Sequence, residues 1–193
     1  MHNDSGYQPL PASYTAGAIV LHWLIAALLF GQVAFGWFLE SIPRGVPMRG
    51  IYVNLHKSTG LVLALLILIR ILWRLTHPAP PLPSFMPAWE RVATKWTHFG
   101  LYACMLLMPL SGYVASNFSK YGVKFFNVML FPPWGTDDHR IYAVFNTTHV
   151  VTSYLLVALI GLHLLGAARH ALRQDGVMGR MWPRRSSSAP GGS

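Results

Sequence analysis

Four long apolar runs dominate the chain, at residues 16–39, 51–75, 91–115 and 141–171. Each holds the roughly 20 residues that a helix needs to cross a bilayer's hydrocarbon, about 30 Å thick. Backbone N–H and C=O groups in lipid must be satisfied within their own segment, so each run is expected to be one membrane-spanning helix. The expected fold class is therefore an all-α membrane protein, a four-transmembrane-helix bundle. The connections agree with it. Residues 40–50 carry Pro43, Arg44, Pro47 and Arg49, and the stretch His77-Pro-Ala-Pro-Pro-Leu-Pro cannot be helical. Pro109 predicts a kink in the third run. Residues 123–134 are apolar but too short to cross and contain Pro132-Pro133. They are expected to lie on the membrane surface or dip into it.

Residues 1–15 are polar without a basic start, so the first run is expected to stay as a span and not to act as a cleavable signal. The bundle domain covers 16–173. Residues 174–193 form a basic tail ending in Ser-Ser-Ser-Ala-Pro-Gly-Gly-Ser, expected to be partly disordered.

Charge then sets orientation. The net charge is +9 although only 11% of residues are charged, and the cations sit in loops and ends. That pattern argues for membrane topology and against nucleic-acid binding. Four spans put both termini on one side, with Arg70, Arg74, Arg91, Lys95, Arg169, Arg173, Arg180, Arg184 and Arg185. The opposite side has Arg44, Arg49, Lys57, Lys120, Lys124 and Arg140. Nine cations against six favour cytoplasmic termini. On the other side those six face only Glu40, Asp137 and Asp138, which suits lipid headgroups, a small anion or an acidic partner.

The chemistry lies in histidines within the spans, where ionisable groups are costly. His149 and His163 stand 14 residues apart on the fourth span. Fourteen helical steps return a side chain to within about 40° of its starting direction and rise about 21 Å. One helix face thus offers an imidazole to each half of the membrane. By depth, His22 of the first span pairs with His163, and His56 of the second with His149. Two facing imidazoles can fill both axial positions of a haem iron, and a four-helix bundle can supply them from facing helices. Filled axial positions favour electron transfer over oxygen chemistry.

His98 lies at the depth of His22 and His163 and competes for that place, or else stands beside the cofactor or a quinone. His170, seven residues beyond His163, falls on the same face at the membrane edge. It is read either as a plain polar residue or as a proton-handling group at a quinone pocket. Gly60 and Gly161 allow a close approach by a flat cofactor or a neighbouring helix. Lys57, Arg70, Arg74 and Arg140 are possible contacts for haem propionates, and Arg70 and Arg74 can also snorkel to the interface. The lone Cys104 excludes an internal disulfide, and without Cys-x-x-Cys-His there is no covalent haem attachment.

Leu21-His22-Trp23, Leu55-His56-Lys57-Ser58-Thr59-Gly60 and Ile69-Arg70-Ile71-Leu72-Trp73-Arg74 occur in this order. The Pro-rich 78–83 stretch, Leu110-Ser111-Gly112-Tyr113 and the His149/His163 pair follow. Over roughly 14–185 the chain resembles the bacterial cytochrome b561 family. The resemblance implies two non-covalent b haems in an inner-membrane protein, ligated by the residues matching His22, His56, His149 and His163. It also implies electron transfer between a periplasmic donor, superoxide in a known member, and the quinone pool. Two other classes remain open. One is a haem b anchor or relay subunit serving a partner oxidoreductase, and the other is a haem-free transporter lined by histidines.

Overall fold

The computed structural model describes residues 13–182. His2, Arg184, Arg185 and the Ser/Gly-rich end of the tail lie outside the described residues. Four helices carry the fold: α1 (Ala16–Ser41), α2 (Pro47–Thr76), α3 (Ala88–Asn117) and α4 (His139–Arg173). All four are long and apolar enough to cross a membrane.

Each helix overruns its predicted span by a few residues, for local reasons. Pro47 occupies the first turn of α2, where a missing N–H costs nothing. Asp138 caps α4 by accepting from the N–H groups of Arg140 and Ile141 at 2.8 and 3.1 Å. Thr15 caps α1 in the same way, through Ala18. The helix α3 continues through Pro109.

The helices α3 and α4 make the most extensive packing, α1 packs on α2, and α2 also meets α3. The core consists of Ile25, Leu29, Leu63, Ile67, Leu101, Cys104, Met105, Met108 and Leu156. Leu156, fully buried, lies seven residues from both His149 and His163. The core therefore fills the middle of the bundle and separates two histidine levels. Outward faces carry exposed Leu, Val, Phe and Trp side chains, as a lipid-facing surface should. The chain is a multi-pass membrane protein.

The sequence predicts a surface-lying segment at 123–134. Most of it is an antiparallel hairpin, β1 (Val123–Phe125) with β2 (Met129–Phe131), pairing Val123 with Phe131 and Phe125 with Met129. Its turn puts Phe126 and Asn127 at positive φ, 44° and 60°. That is unusual for a bulky residue such as Phe126. Bonds to α2 hold it there: the Phe126 N–H donates to Ser58 Oγ at 2.7 Å, and the Asn127 amide donates to the Ile51 carbonyl at 3.1 Å. The hairpin thus closes one end of the bundle, here termed the hairpin end.

The opposite, tail end is closed by the residues after α4. Gln174 ends the helix in the left-handed conformation. Residues Met178–Met181 then form a 3₁₀ turn with Arg180 buried. Its anchors are tertiary. The Tyr14 N–H donates to the Arg180 carbonyl (3.2 Å), Trp23 Nε1 to the Met181 carbonyl (3.0 Å), and Arg180 Nη2 to the Pro81 carbonyl (2.9 Å). This part of the tail is therefore ordered against the bundle.

Candidate functional site: two tiers of facing histidines

At the hairpin end, His56 of α2 faces His149 of α4 with ring centres 6.3 Å apart and planes at 83°. His149 Nδ1 lies 2.6 Å from the Met108 carbonyl. A carbonyl only accepts, so the proton sits on Nδ1 and Nε2 keeps its electron pair for another partner. Among the described residues, His56 Nδ1 is buried without a hydrogen-bond partner. The backbone beneath His56 is fixed from α1: Gln32 Nε2 donates to the His56 carbonyl at 2.6 Å, and Thr59 Oγ1 donates to Gln32 Oε1 at 2.7 Å.

These rings open on a cavity of about 1190 Å³ whose walls include Gly36, Gly60, Gly112 and Met105. The usual range for small-molecule sites is roughly 300–1,000 Å³. Gly112 matters most, since a Cβ there would lie 2.8 Å from His149 Nδ1. Lys57 also lines the cavity, with Nζ donating to the Gly122 carbonyl at 2.9 Å. Arg44, Arg49 and Lys120 join it around the cavity, against Glu40 and Asp137. Arg140 is exposed and does not line it.

At the tail end, His22 of α1 faces His163 of α4 at 6.2 Å with planes at 75°. His98 of α3 stands closer to His163, at 5.3 Å, and remains exposed. Arg70 reaches into this tier from α2. Its Nη2 lies 3.2 Å from His22 Nδ1, while Nε donates to Tyr102 Oη and Nη1 to the Ala18 carbonyl, both at 3.2 Å. Arg74 is exposed, with its guanidinium 5.7 Å from the centre of the Tyr14 ring. Gly161 has open space around its α-carbon. Among the described residues, no three His, Cys, Asp or Glu side chains converge as a bare metal ion requires.

Beyond this tier lies a polar knot that the histidine spacing alone did not reveal. His170 is buried, with Nδ1 2.7 Å from Asp175 Oδ2 and Nε2 3.5 Å from Glu90 Oε1. Arg169 and Arg173 each approach Glu90 at 3.6 Å. The signal available in the sequence was Glu90 and Asp175 themselves, carboxylates placed where α3 starts and α4 ends amid cations. Burial works to raise the Asp175 pKa, but its hydrogen bonds with His170 and with the Val177 N–H outweigh that and hold the carboxyl below the usual carboxylate range. A depressed value means that the ionised form stabilises the folded tail. That contribution is present above the ordinary carboxylate pKa and is lost as pH falls through the lowered one. Hydrogen exchange should therefore show the Val177 and Arg180 amides still protected as pH falls below the ordinary carboxylate range, and Asp175→Asn should expose them at neutral pH.

The fold and these two tiers define a multi-pass membrane protein that presents paired imidazoles at two depths. The prokaryotic cytochrome b561 family model matches residues 13–184, and the chain belongs to that family. It is similar to cytochrome b561 homolog 2 of Escherichia coli K12, at 27% identity over 92% of this chain and 95% of that protein. It is also similar to the probable superoxide oxidase CybB of Yersinia pestis, at 24% identity over 89% of this chain and 97% of that one. The protein is accordingly a membrane electron-transfer protein of a family that carries b-type haem.

Proposed function

We propose that this protein is a dihaem b-type cytochrome carrying electrons across the bacterial inner membrane from a periplasmic donor to the quinone pool. His56 and His149 would hold one haem, and His22 and His163 the other. The observation that carries the reading is the repetition of one geometry at two depths, with both α4 histidines on one face. Two imidazoles on one metal, at bonds of about 2 Å each, have ring centres roughly 6 Å apart. The separations of 6.3 and 6.2 Å suit that arrangement, whereas 5.3 Å between His98 and His163 is short for it. The unpartnered His56 Nδ1, the cavity and the glycines around it fit a flat macrocycle at the hairpin end.

Bound there, b haem supplies reversible one-electron exchange. The chain's own residues do the rest. Met108 orients His149, Gln32 fixes the segment carrying His56, and the central core keeps water from the space between the tiers. Lys57 and Arg74 are the cations we assign to propionates. Arg140, exposed and off the cavity wall, is a weaker choice for that role. The hairpin end would face the periplasm, in line with the excess of cations at the end where both termini lie. Superoxide is the donor we favour, because Arg44, Arg49, Lys57 and Lys120 outnumber the acids around the cavity and attract a small anion. The name of the Yersinia pestis relative points the same way. Quinone would be reduced at the tail end, beside His98, taking up two electrons and two protons, with His170, between Asp175 and Glu90, as the side chain that relays protons.

The deciding experiment is a reduced-minus-oxidised visible spectrum with pyridine haemochrome counting on the purified chain. Two b haems per chain are expected, falling to one in His22→Ala and staying at two in His98→Ala. A spectrum without b-type bands ends the proposal. Loss of a haem in His98→Ala but not in His22→Ala overturns the tail-end pairing.

A further inference from the structure

The two tiers differ in what touches their ligand rings. At the hairpin end the contact is a carbonyl: His149 donates Nδ1–H to Met108. A carbonyl there pushes electron density into the ring and makes it a stronger ligand. At the tail end the contact is a cation. Arg70 sits on α2, its last apolar turns behind it, and turns three of its five N–H groups toward Tyr102, the Ala18 carbonyl and His22. No carboxylate is ion-paired with it among the described residues.

Arginine has no acceptor, so its contact with His22 Nδ1 is a hydrogen bond only when that nitrogen offers its lone pair. If Nδ1 carries a proton instead, the guanidinium stands against it as an uncompensated positive charge. With iron on Nε2 the neutral ring keeps its proton on Nδ1, so the second case applies, and the unpaired charge draws electron density away from the ring. In a half-buried site near lipid, such a charge is weakly screened. Iron held by that ring gains from being reduced, because reduction removes one unit of positive charge beside Arg70. The comparable cation at the other tier, Lys57, donates from Nζ to the Gly122 carbonyl and, among the described residues, makes no hydrogen bond to either ligand ring.

We infer that Arg70, through its contact with His22, makes the tail-end tier the more easily reduced of the two. An electron entering at the hairpin end then moves downhill toward the tail end, and the polarity of transfer is written into one side chain. Arg70 acts here as a positioning and tuning residue, not as a group that exchanges electrons. The inference rests on the two-haem reading above.

Its test is potentiometric titration of the full chain in detergent, with haem content measured on each sample. Arg70→Met should lower the higher midpoint by about 59 mV, a tenfold change in the one-electron equilibrium constant. The lower midpoint should stay, and Arg70→Lys should keep most of the original value. Lys57→Met should move the lower midpoint by less. Single-ligand variants assign the tiers without touching Arg70: the haem retained in His149→Ala should have the higher midpoint, and that retained in His163→Ala the lower. The opposite order overturns the inference even if Arg70→Met fails to load haem. So does an Arg70→Met protein with both midpoints unchanged, with the lower one shifted instead, or with a raised value. Fewer than two haems in the unsubstituted chain sinks the underlying reading instead, so the two failures are distinguishable.

Discussion

On the two-haem proposal, His149→Ala is expected to bind one haem against an expected two in the unsubstituted protein, with the bands of the remaining one unchanged. The ring at 149 does two things at the hairpin end. It faces His56 across 6.3 Å, and it ties α4 to α3 through the Met108 carbonyl. Alanine removes both and leaves that carbonyl with only the Ser111 hydroxyl as a side-chain donor. His56 cannot compensate, since its Nδ1 has no partner of its own and the facing position would be empty. Loss at this tier should be close to complete, because a b haem is held by ligation and packing alone. The other tier is buffered by distance. His163 lies about 21 Å further along the same helix, beyond the buried Leu156, Leu63 and Ile67. Pyridine haemochrome and low-temperature electron paramagnetic resonance measure this directly: one low-spin ferric signal should vanish and one should persist. Two retained signals would place the ligand elsewhere than at 149.

Helix number, type and order were readable because crossing lipid demands about 20 apolar residues with no internal compromise. Helix ends were not, since they depend on single caps: Pro47 starts α2 and Asp138 starts α4 outside the hydrophobic pattern. The hairpin at 123–131 carried no turn signature that a sequence reader would use, because its positive-φ positions are Phe126 and Asn127 with no glycine between the strands. It exists through bonds to Ser58, Asn54 and Ile51. The tail turn is similar, made by Tyr14, Trp23 and Pro81 from far upstream.

The histidine levels were legible for a geometric reason, a helix period and a rise per residue. Depth alone could not separate His22 from His98. The structure sets both rings beside that of His163, His22 at 6.2 Å and His98 at 5.3 Å. Arg70 shows what sequence position hides. A cation near the end of a span is expected to reach outward to water. Here Tyr102, Ala18 and His22 supply partners on the inside, and the side chain turns toward the bundle.

Gly112→Ala is expected to weaken haem binding at the hairpin end about 10- to 100-fold while leaving the tail-end tier intact. The added methyl would start 2.8 Å from His149 Nδ1 and 3.1 Å from Cε1, closer than such atoms can stand. Retreat is opposed by a tether, because the ring is bonded to the Met108 carbonyl, one turn before Gly112 on α3. Moving the imidazole lengthens that bond and rotates Nε2 away from His56. Moving α3 disturbs the most extensive helix pair in the bundle. Backbone propensity works the other way, since alanine in a helix is favoured over glycine by about 1 kcal/mol. A loss of haem accompanied by unchanged or higher resistance to unfolding would thus identify the ring contact as the cause. Gly31→Ala is the matched control, with nothing within 4 Å of the new methyl. Haem titration of the two apoproteins should separate them. Equal affinity would mean that His149 tolerates displacement, and with it that its orientation by Met108 does not matter for holding iron.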